Sequence, residues 1–125
     1  MEHFAMIVAG FGFRVAAEVA SLLDAYDQAR GELTATHIST AADKCAHPAI
    51  NALAETLNLP LLPANDLPGQ STLTRSAASE AARGTGSLAE AAALAALDGE
   101  GCLLGPRTIS SDRRATCALA RKTLK

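Results

Sequence analysis

The sequence predicts an α/β protein of the three-layer α/β/α type, with a mostly parallel sheet of about five strands and a C-terminal antiparallel hairpin. The first observation is that short apolar runs alternate with segments of helical periodicity, in the order β-α-β-α-β-(α)-α-β-β. The second is a composition that is 49% hydrophobic but only 3% aromatic, so the layers must pack through Ala, Leu, Ile and Val. Because the 125 residues contain no linker-like stretch, we expect one domain over residues 1–125.

The first strand and helix are predicted from an apolar run followed by a periodic segment. Residues 4–9 are continuously apolar and are closed by Gly10, which predicts a buried strand followed by a glycine turn. Apolar residues then recur at helical spacing over residues 15–30. Gly31 is a typical C-terminal stop, so the first helix is expected to end there.

The middle of the chain predicts two more strands and a helix. Residues 33–39 are rich in β-branched side chains, which favours a second strand. A helix is expected over residues 48–57, with a proline in its first turn. Residues 59–62 contain a proline and predict a short strand near a sheet edge. A loop over residues 65–74 and a short helix over residues 76–83 should follow.

The segment Gly84-Thr85-Gly86-Ser87 leads into an alanine-rich stretch and predicts a well-specified helix start. Ser87 and Glu90 have the S-x-x-E spacing of a capping box, so the helix is expected over residues 88–97. The first N–H groups of a helix lack partners and carry partial positive charge, which makes this start a candidate anion site. Glu90 is interpreted either as the capping carboxylate or as a general acid or base.

The C-terminal part predicts two strands that form the hairpin. The first starts at residues 102–104, and the second covers residues 115–120. Ser110-Ser111-Asp112 is a turn candidate between them.

Charged residues follow several of the predicted strands, at the carboxyl ends where open α/β sheets bind their ligands. In chain order they are Arg14, Asp43, Lys44, Arg75, Arg107, Arg113 and Arg114. If they converge on one rim, they form a cleft suited to a ligand that carries several carboxylates or phosphates. The alternative is that they are ordinary solvated surface charges.

Composition disfavours several classes of protein. A net charge of −2 and the absence of tryptophan argue against nucleic-acid binding. No apolar run approaches the roughly 20 residues of a membrane span, and the N-terminal residues do not resemble a secretory signal. Three cysteines without a C-x-x-C pattern fit a reducing compartment. We therefore expect a cytoplasmic protein with no membrane, metal or cofactor requirement.

Known catalytic and nucleotide-binding patterns are absent from the sequence. The G-x-G after the first strand is followed by Arg14 and Val15, where a dinucleotide fingerprint has its third glycine. Cys45 and His47 lie near a helix start, where a thiolate would be stabilised, but they also fit a plain loop. Cys102 and Cys117 are expected to be small core residues of strands.

Several motifs, taken in order, also match the pattern of a known family. They are Gly10-x-Gly12-x-Arg14, Asp43-Lys44, Leu53-Ala54, Leu57-x-Leu59-Pro60-Leu61, Ser76, Gly84-Thr85-Gly86-Ser87-x-Ala89-Glu90-Ala91-Ala92-Ala93 and Ala115-Thr116-Cys117-Ala118-Leu119-Ala120-Arg121. Over nearly the whole chain they resemble the CobE family, which is similar to the C-terminal domain of the cobalamin-biosynthesis protein CbiG. The resemblance implies a role in cobalamin biosynthesis, in which the protein binds a precorrin or corrin intermediate as a carrier or accessory factor. Two alternatives stay open: an enzyme that hydrolyses or rearranges a precorrin, and a non-catalytic partner module of a pathway methyltransferase.

The resemblance and the charged rim together give the candidate site. The expected ligand-binding residues are Gly10, Gly12, Arg14, Lys44, Arg75, Ser76, Gly84, Thr85, Gly86, Ser87 and Arg107. No catalytic residue is identified; Asp43, Lys44 and Glu90 are the candidates for proton transfer if the protein is an enzyme. Apolar residues such as Phe11, Phe13 and Leu88 are expected to lie against the flat macrocycle.

Overall fold

The computed structural model describes residues 6–65, 67, 72–73, 87–98 and 100–122. Within these residues a six-stranded sheet is covered by helices on both faces, as the three-layer prediction requires. The strands are β1 (Ile7–Phe13), β2 (His37–Ala41), β3 (Leu61–Ala64), β4 (Gly101–Leu103), β5 (Thr108–Ile109) and β6 (Ala115–Lys122). The α-helices of the described part are α1 (Val19–Arg30), α2 (Pro48–Leu57) and α3 (Leu88–Ala95), and a 3-10 turn covers Ala42–Lys44.

The sheet has the strand order β3-β2-β1-β6-β4, and β5 also pairs with β6. Strands β1, β2 and β3 are parallel, whereas β6 runs antiparallel to β1 from Phe13↔Ala115 to Ile7↔Arg121. The predicted C-terminal hairpin is confirmed, but its last strand is not at the edge, because β6 lies between β1 and β4. This arrangement brings the start of β6 to the carboxyl end of β1. It therefore adds a C-terminal segment to the predicted rim.

Helices α1 and α2 cover one face of the sheet and enclose the larger core. Its buried members include Ala9, Phe11, Phe13, Leu22, Tyr26, Ile38, Ile50, Leu53, Cys117 and Leu119. Phe11 is fully buried and Phe13 is 7% exposed, so the prediction that these rings contact a macrocycle is wrong. Their place in β1 explains this, because alternate strand residues point to the same face and these two point toward α1 and α2.

Helix α3 packs closely against the opposite face because both contact surfaces consist of small residues. A Cβ atom at Gly10 would lie 2.1 Å from the carbonyl oxygen of Ala89 and 2.5 Å from the amide nitrogen of Ala93. A Cβ at Gly12 would lie 3.3 Å from the Cβ of Leu88. Both glycines are therefore packing residues inside β1, and the glycine turn predicted after residue 9 is wrong. Because glycine has no side chain, the backbone of α3 can approach β1 closely at these two positions.

Two element starts differ from the sequence prediction because local hydrogen bonds determine them. Helix α1 starts at Val19 rather than at residue 15, since the Ser21 hydroxyl accepts from the Glu18 N–H, and Val15 is left 86% exposed in the preceding turn. Strand β2 starts at His37 rather than at residue 33, since the hydroxyl of Thr36 bonds both backbone polar groups of Ile7.

Three further predictions have different outcomes. Cys117 is fully buried as expected, whereas Cys102 is exposed on the edge strand β4, so its predicted core position is wrong. The predicted helix over residues 76–83 lies outside the described residues. No helix in the described ranges has the length and apolar character that a membrane crossing requires.

Candidate functional site

The carboxyl end of β1 brings together residues from opposite ends of the chain. The N–H of Arg14, the first residue after β1, donates to the carbonyl oxygen of Arg114 at 2.9 Å. Ala115 pairs with Phe13, so the β5–β6 turn sits directly beside the end of β1. The side chains of Arg14, Arg113 and Arg114 are all exposed there. The backbones of these three arginines therefore lie together at the end of β1.

A network of hydroxyl and carboxylate groups holds this turn in place. The carboxylate of Asp112 accepts from the hydroxyls of Ser110 and Ser21, each at 2.6 Å, and from the N–H of Arg114 at 3.0 Å. These hydrogen bonds, that from Ser110 foremost, lower the pKa of Asp112 to about 2. Arg113 adopts a left-handed conformation with φ of 62°. Because Ser21 belongs to α1, the turn that carries the arginines is fastened to a helix.

Lys44 lies at the same end of the sheet, in the 3-10 turn after β2. Its ammonium group donates to the carbonyl oxygen of Phe13 and lies 4.6 Å from the centroid of the Phe13 ring. Lys44 therefore places a positive charge beside the residue that precedes Arg14. Its neighbour Asp43 is exposed in the same turn.

His47 joins the loops that follow β1 and β2. Its Nδ1 accepts from the N–H of Ala49 at 3.0 Å and so caps α2, while its Nε2 lies 2.8 Å from the carbonyl oxygen of Val15. Since Nδ1 accepts, Nε2 carries the proton and donates to Val15. The ring also packs edge-on against Phe13, with 5.0 Å between centroids. The sequence contains a signal for this cap, a polar residue directly before Pro48, but the contact with Val15 requires the fold.

Cys45 does not have the environment of a reactive thiol. Its Sγ donates to the carbonyl oxygen of Ala41 at 3.6 Å. Burial raises the pKa of the Cys45 thiol, and the nearby charge of Asp43 raises it further. The interpretation of Cys45 as a plain loop cysteine is therefore confirmed over that of a stabilised thiolate.

The start of α3 is built as predicted, but Glu90 has a different set of contacts from a simple cap. The Ser87 hydroxyl accepts from the N–H of Glu90 at 3.3 Å, which confirms Ser87 as the N-cap. Glu90 is fully buried, and its two carboxylate oxygens accept from the N–H groups of Leu73 at 2.6 Å and Arg107 at 2.8 Å. Glu90 therefore binds two loops to the first turn of α3. Ser87 is also fully buried, so its observed role is capping.

Five of the candidate residues belong to parts of the chain outside the described ranges. Arg75, Ser76, Gly84, Thr85 and Gly86 lie outside the described residues. The described part thus brings Arg14, Lys44 and Arg114 together at the end of β1 and brings Arg107 to the first turn of α3. The contributions of Asp112 and Leu73 do not follow from the sequence: Asp112 has the pattern of a turn residue, and Leu73 lies in a stretch that predicts a loop.

Comparisons with known proteins agree on one family. A family model described as "Cobalamin synthesis G C-terminus" matches residues 7–120. The structure of CobE, a protein from the cobalamin (vitamin B12) biosynthetic pathway, is similar with a TM-score of 0.82 and 27% identity, over 97% of this chain and 93% of that one. Cobalamin biosynthesis protein chiG from Agrobacterium tumefaciens str. C58 is similar with a TM-score of 0.68 and 27% identity, over 96% of this chain and 100% of that one.

A more distant structure shares the fold alone. It is a cobalamin biosynthesis protein G homolog from Sulfolobus solfataricus, with a TM-score of 0.67 and 17% identity. The match covers 94% of this chain but 37% of that one. No curated protein sequence matches the chain.

Proposed function

This chain belongs to the family of the cobalamin synthesis G C-terminus, and from that premise we propose that it binds a polycarboxylate precorrin or corrin intermediate at the cationic end of its sheet. In this role it acts as a carrier or accessory factor of cobalamin biosynthesis. A cytoplasmic location and contact with enzymes of the pathway are parts of the same proposal.

One observation carries the proposal: three cations from distant segments meet at the end of β1. Arg14 follows β1, Lys44 follows β2 and Arg114 precedes β6. The Arg14–Arg114 hydrogen bond and the contacts of Lys44 with Phe13 bring them together. The sign and position of this cluster suit an anionic ligand at the carboxyl ends of parallel strands.

The chemistry of corrin precursors is complementary to this cluster. These macrocycles carry acetate and propionate arms, and arginine binds carboxylates through two parallel hydrogen bonds. Such contacts are worth about 1.5–3 kcal/mol each when well formed. Three of them give about 4.5–9 kcal/mol. Because association itself costs free energy, apolar contact with the macrocycle must add to them to reach the roughly 8 kcal/mol of micromolar binding. Arg75, Ser76, Gly84, Thr85 and Gly86 remain expected contributors.

The contacts of Glu90 bear on the alternative that the protein is a precorrin hydrolase. Both of its oxygens accept backbone N–H groups and its side chain is fully buried, which favours a structural role over proton transfer. Asp43 and Lys44 are the remaining candidates for that chemistry. Turnover of a precorrin by the isolated protein that is lost in Lys44→Ala would support the enzyme over the carrier.

A titration with a corrin acid tests the proposal. Hydrogenobyrinic acid is added to the protein and binding is followed by absorbance or calorimetry. We expect saturable binding with a dissociation constant of about ten micromolar or tighter, and we expect it to weaken with salt. Arg14→Ala should lower the affinity by about tenfold. Arg121→Ala is the matched control, because Arg121 is exposed and pairs with Ile7 at the opposite end of β1. The absence of binding, or equal losses in the two variants, would overturn the proposal.

A further inference from the structure

Two loops meet at the buried carboxylate of Glu90. The N–H of Leu73 comes from the segment that follows β3, and the N–H of Arg107 comes from the segment between β4 and β5. Each donor lies 17 residues from Glu90 in the chain, one before it and one after it. A hydrogen bond from a backbone N–H to a carboxylate is among the stronger ones in proteins. Glu90 therefore fixes the backbones of both loops relative to α3.

Of the two residues whose N–H groups bind Glu90, Leu73 has an apolar side chain and Arg107 has a charged one. Leu73 is 61% exposed although its backbone is fastened to a fully buried group. Arg107 is partly exposed and contributes a positive charge. An exposed leucine on a fixed backbone loses little conformational freedom when a ligand covers it, which favours binding.

This pair lies on the α3 side of the cationic rim. A Cβ at Gly12 would lie 3.3 Å from the Cβ of Leu88, so the first turn of α3 packs beside the last residues of β1. Arg14 follows two residues later in the chain. The loops that Glu90 holds are thus at the same end of the sheet as Arg14.

We propose that Leu73 and Arg107 form a second contact subsite for the tetrapyrrole, with Glu90 as the positioning residue that holds both. This inference rests on the proposed function. Leu73 covers part of the apolar ring face, and Arg107 binds a carboxylate arm. The subsite thereby recognises the combination of a flat apolar ring and an acidic periphery, which a simple polycarboxylate lacks.

The two contacts differ in their response to salt, which makes them separable. Leu73→Ala is expected to weaken binding of hydrogenobyrinic acid by about tenfold without changing the salt dependence, because the lost contact is apolar. Arg107→Ala is expected to weaken it by a similar factor and to reduce the salt dependence, because a charge is lost. Leu33→Ala is the matched control: Leu33 is 40% exposed and lies in the connection between α1 and β2, at the other end of the sheet.

Glu90→Gln tests the positioning role. The side chain keeps its size, but its amide nitrogen donates and cannot accept the second N–H, so one loop loses its partner. We expect a loss of about tenfold in binding. In a protein that already carries both Leu73→Ala and Arg107→Ala, we expect Glu90→Gln to weaken binding by no more than about a further twofold, because both contacts that it positions are already absent. A residue that supported only the fold would lower the unfolding midpoint, and its effect on binding would multiply with that of the double variant.

The outcomes separate this inference from the proposed function. If the unaltered protein fails to bind the corrin acid, the proposed function fails. If that protein binds and Arg14→Ala weakens binding, but Leu73→Ala and Arg107→Ala bind like Leu33→Ala, the second subsite is wrong and the proposed function stands. Leu73→Ala and Arg107→Ala alter exposed or partly exposed side chains and should fold normally. Their comparison with Leu33→Ala therefore tests the second subsite even if Glu90→Gln does not fold.

Discussion

The backbone N–H of Arg14 donates to the carbonyl oxygen of Arg114, with 2.9 Å between the two atoms. This hydrogen bond closes the β1–β6 ladder at the carboxyl end of β1 and makes neighbours of two arginines from opposite ends of the chain. Both side chains are exposed. The two arginines are therefore neighbours in the rim at which we propose that the ligand binds.

The first prediction separates charge from geometry at Arg14. Arg14→Ala should weaken corrin-acid binding by about tenfold and lower its salt dependence. Arg14→Lys should keep the salt dependence and weaken binding by about threefold, because lysine keeps the charge but not the two-pronged contact. Titrations at several salt concentrations measure both quantities. Binding by Arg14→Lys that is as tight as that of the unaltered protein would contradict a two-pronged contact, because charge alone would then be sufficient.

The layers of the fold could be predicted from the sequence, because hydrophobic periodicity reports which segments are buried on one side or both. The capped start of α3 could also be predicted, since Ser87 and Glu90 are a local pattern. The position of β6 between β1 and β4 could not, because strand order depends on pairing between segments far apart in the chain. Gly10 shows the same limit: a glycine after an apolar run predicts a turn, and only the approach of Ala89 reveals a packing position.

The candidate site was predicted as a set of charges and not as a set of contacts. Arg14, Lys44 and Arg114 follow or precede strands, so the rule on carboxyl ends could bring them together. The role of Glu90 depends on N–H groups that lie 17 residues away on either side, and no local pattern encodes such a bond. The same holds for the link between Ser21 and Asp112.

The packing of α3 on β1 predicts a large effect for Gly10→Ala. The added methyl group would lie 2.1 Å from the carbonyl oxygen of Ala89, and helix backbone cannot move aside as a flexible side chain can. We expect the free energy of unfolding to fall by about 3 kcal/mol, measured by denaturant titration. Gly105→Ala is the control, because nothing lies within 4 Å of a Cβ there, and it should change stability by less than about 0.5 kcal/mol. Similar losses in both variants would contradict the close contact.

His47 as the N-cap of α2 predicts a graded response to substitution. His47→Ala removes the acceptor for the Ala49 N–H and should lower the free energy of unfolding by about 1 kcal/mol. His47→Asn supplies a side-chain oxygen in place of Nδ1 and should recover part of that loss, although the contact with Val15 is absent. Thermal unfolding of the two variants gives the comparison. If the asparagine variant is no more stable than the alanine variant, capping is not the main contribution.

The three cysteines are expected to react with a thiol reagent at very different rates. Cys102 is exposed and should react first, Cys45 should react slowly because burial raises its thiol pKa, and Cys117 should react only on unfolding. The absorbance change of a disulfide reagent, followed over time, gives the rate at which each thiol reacts. Cys102→Ser should remove the fastest phase of this reaction. Rapid labelling of Cys117 in the native protein would contradict its burial.

The network around Asp112 predicts a specific loss of stability in acid. The pKa of this carboxyl is lowered from 3.8 to about 2 by hydrogen bonds from Ser110, Ser21 and Arg114. The ionised form is thus favoured in the folded state, so its contribution to stability is complete above about pH 4 and is lost as the pH falls toward 2. Asp112→Asn has one accepting oxygen and no charge, so it should be less stable than the unaltered protein at pH 7. Because its side chain cannot titrate, it should lose less stability between pH 4 and pH 2. Denaturant titrations between pH 7 and pH 2 measure both curves. Parallel curves for the two proteins would show that Asp112 does not carry this dependence, whereas convergence near pH 2 is the result that the three hydrogen bonds require.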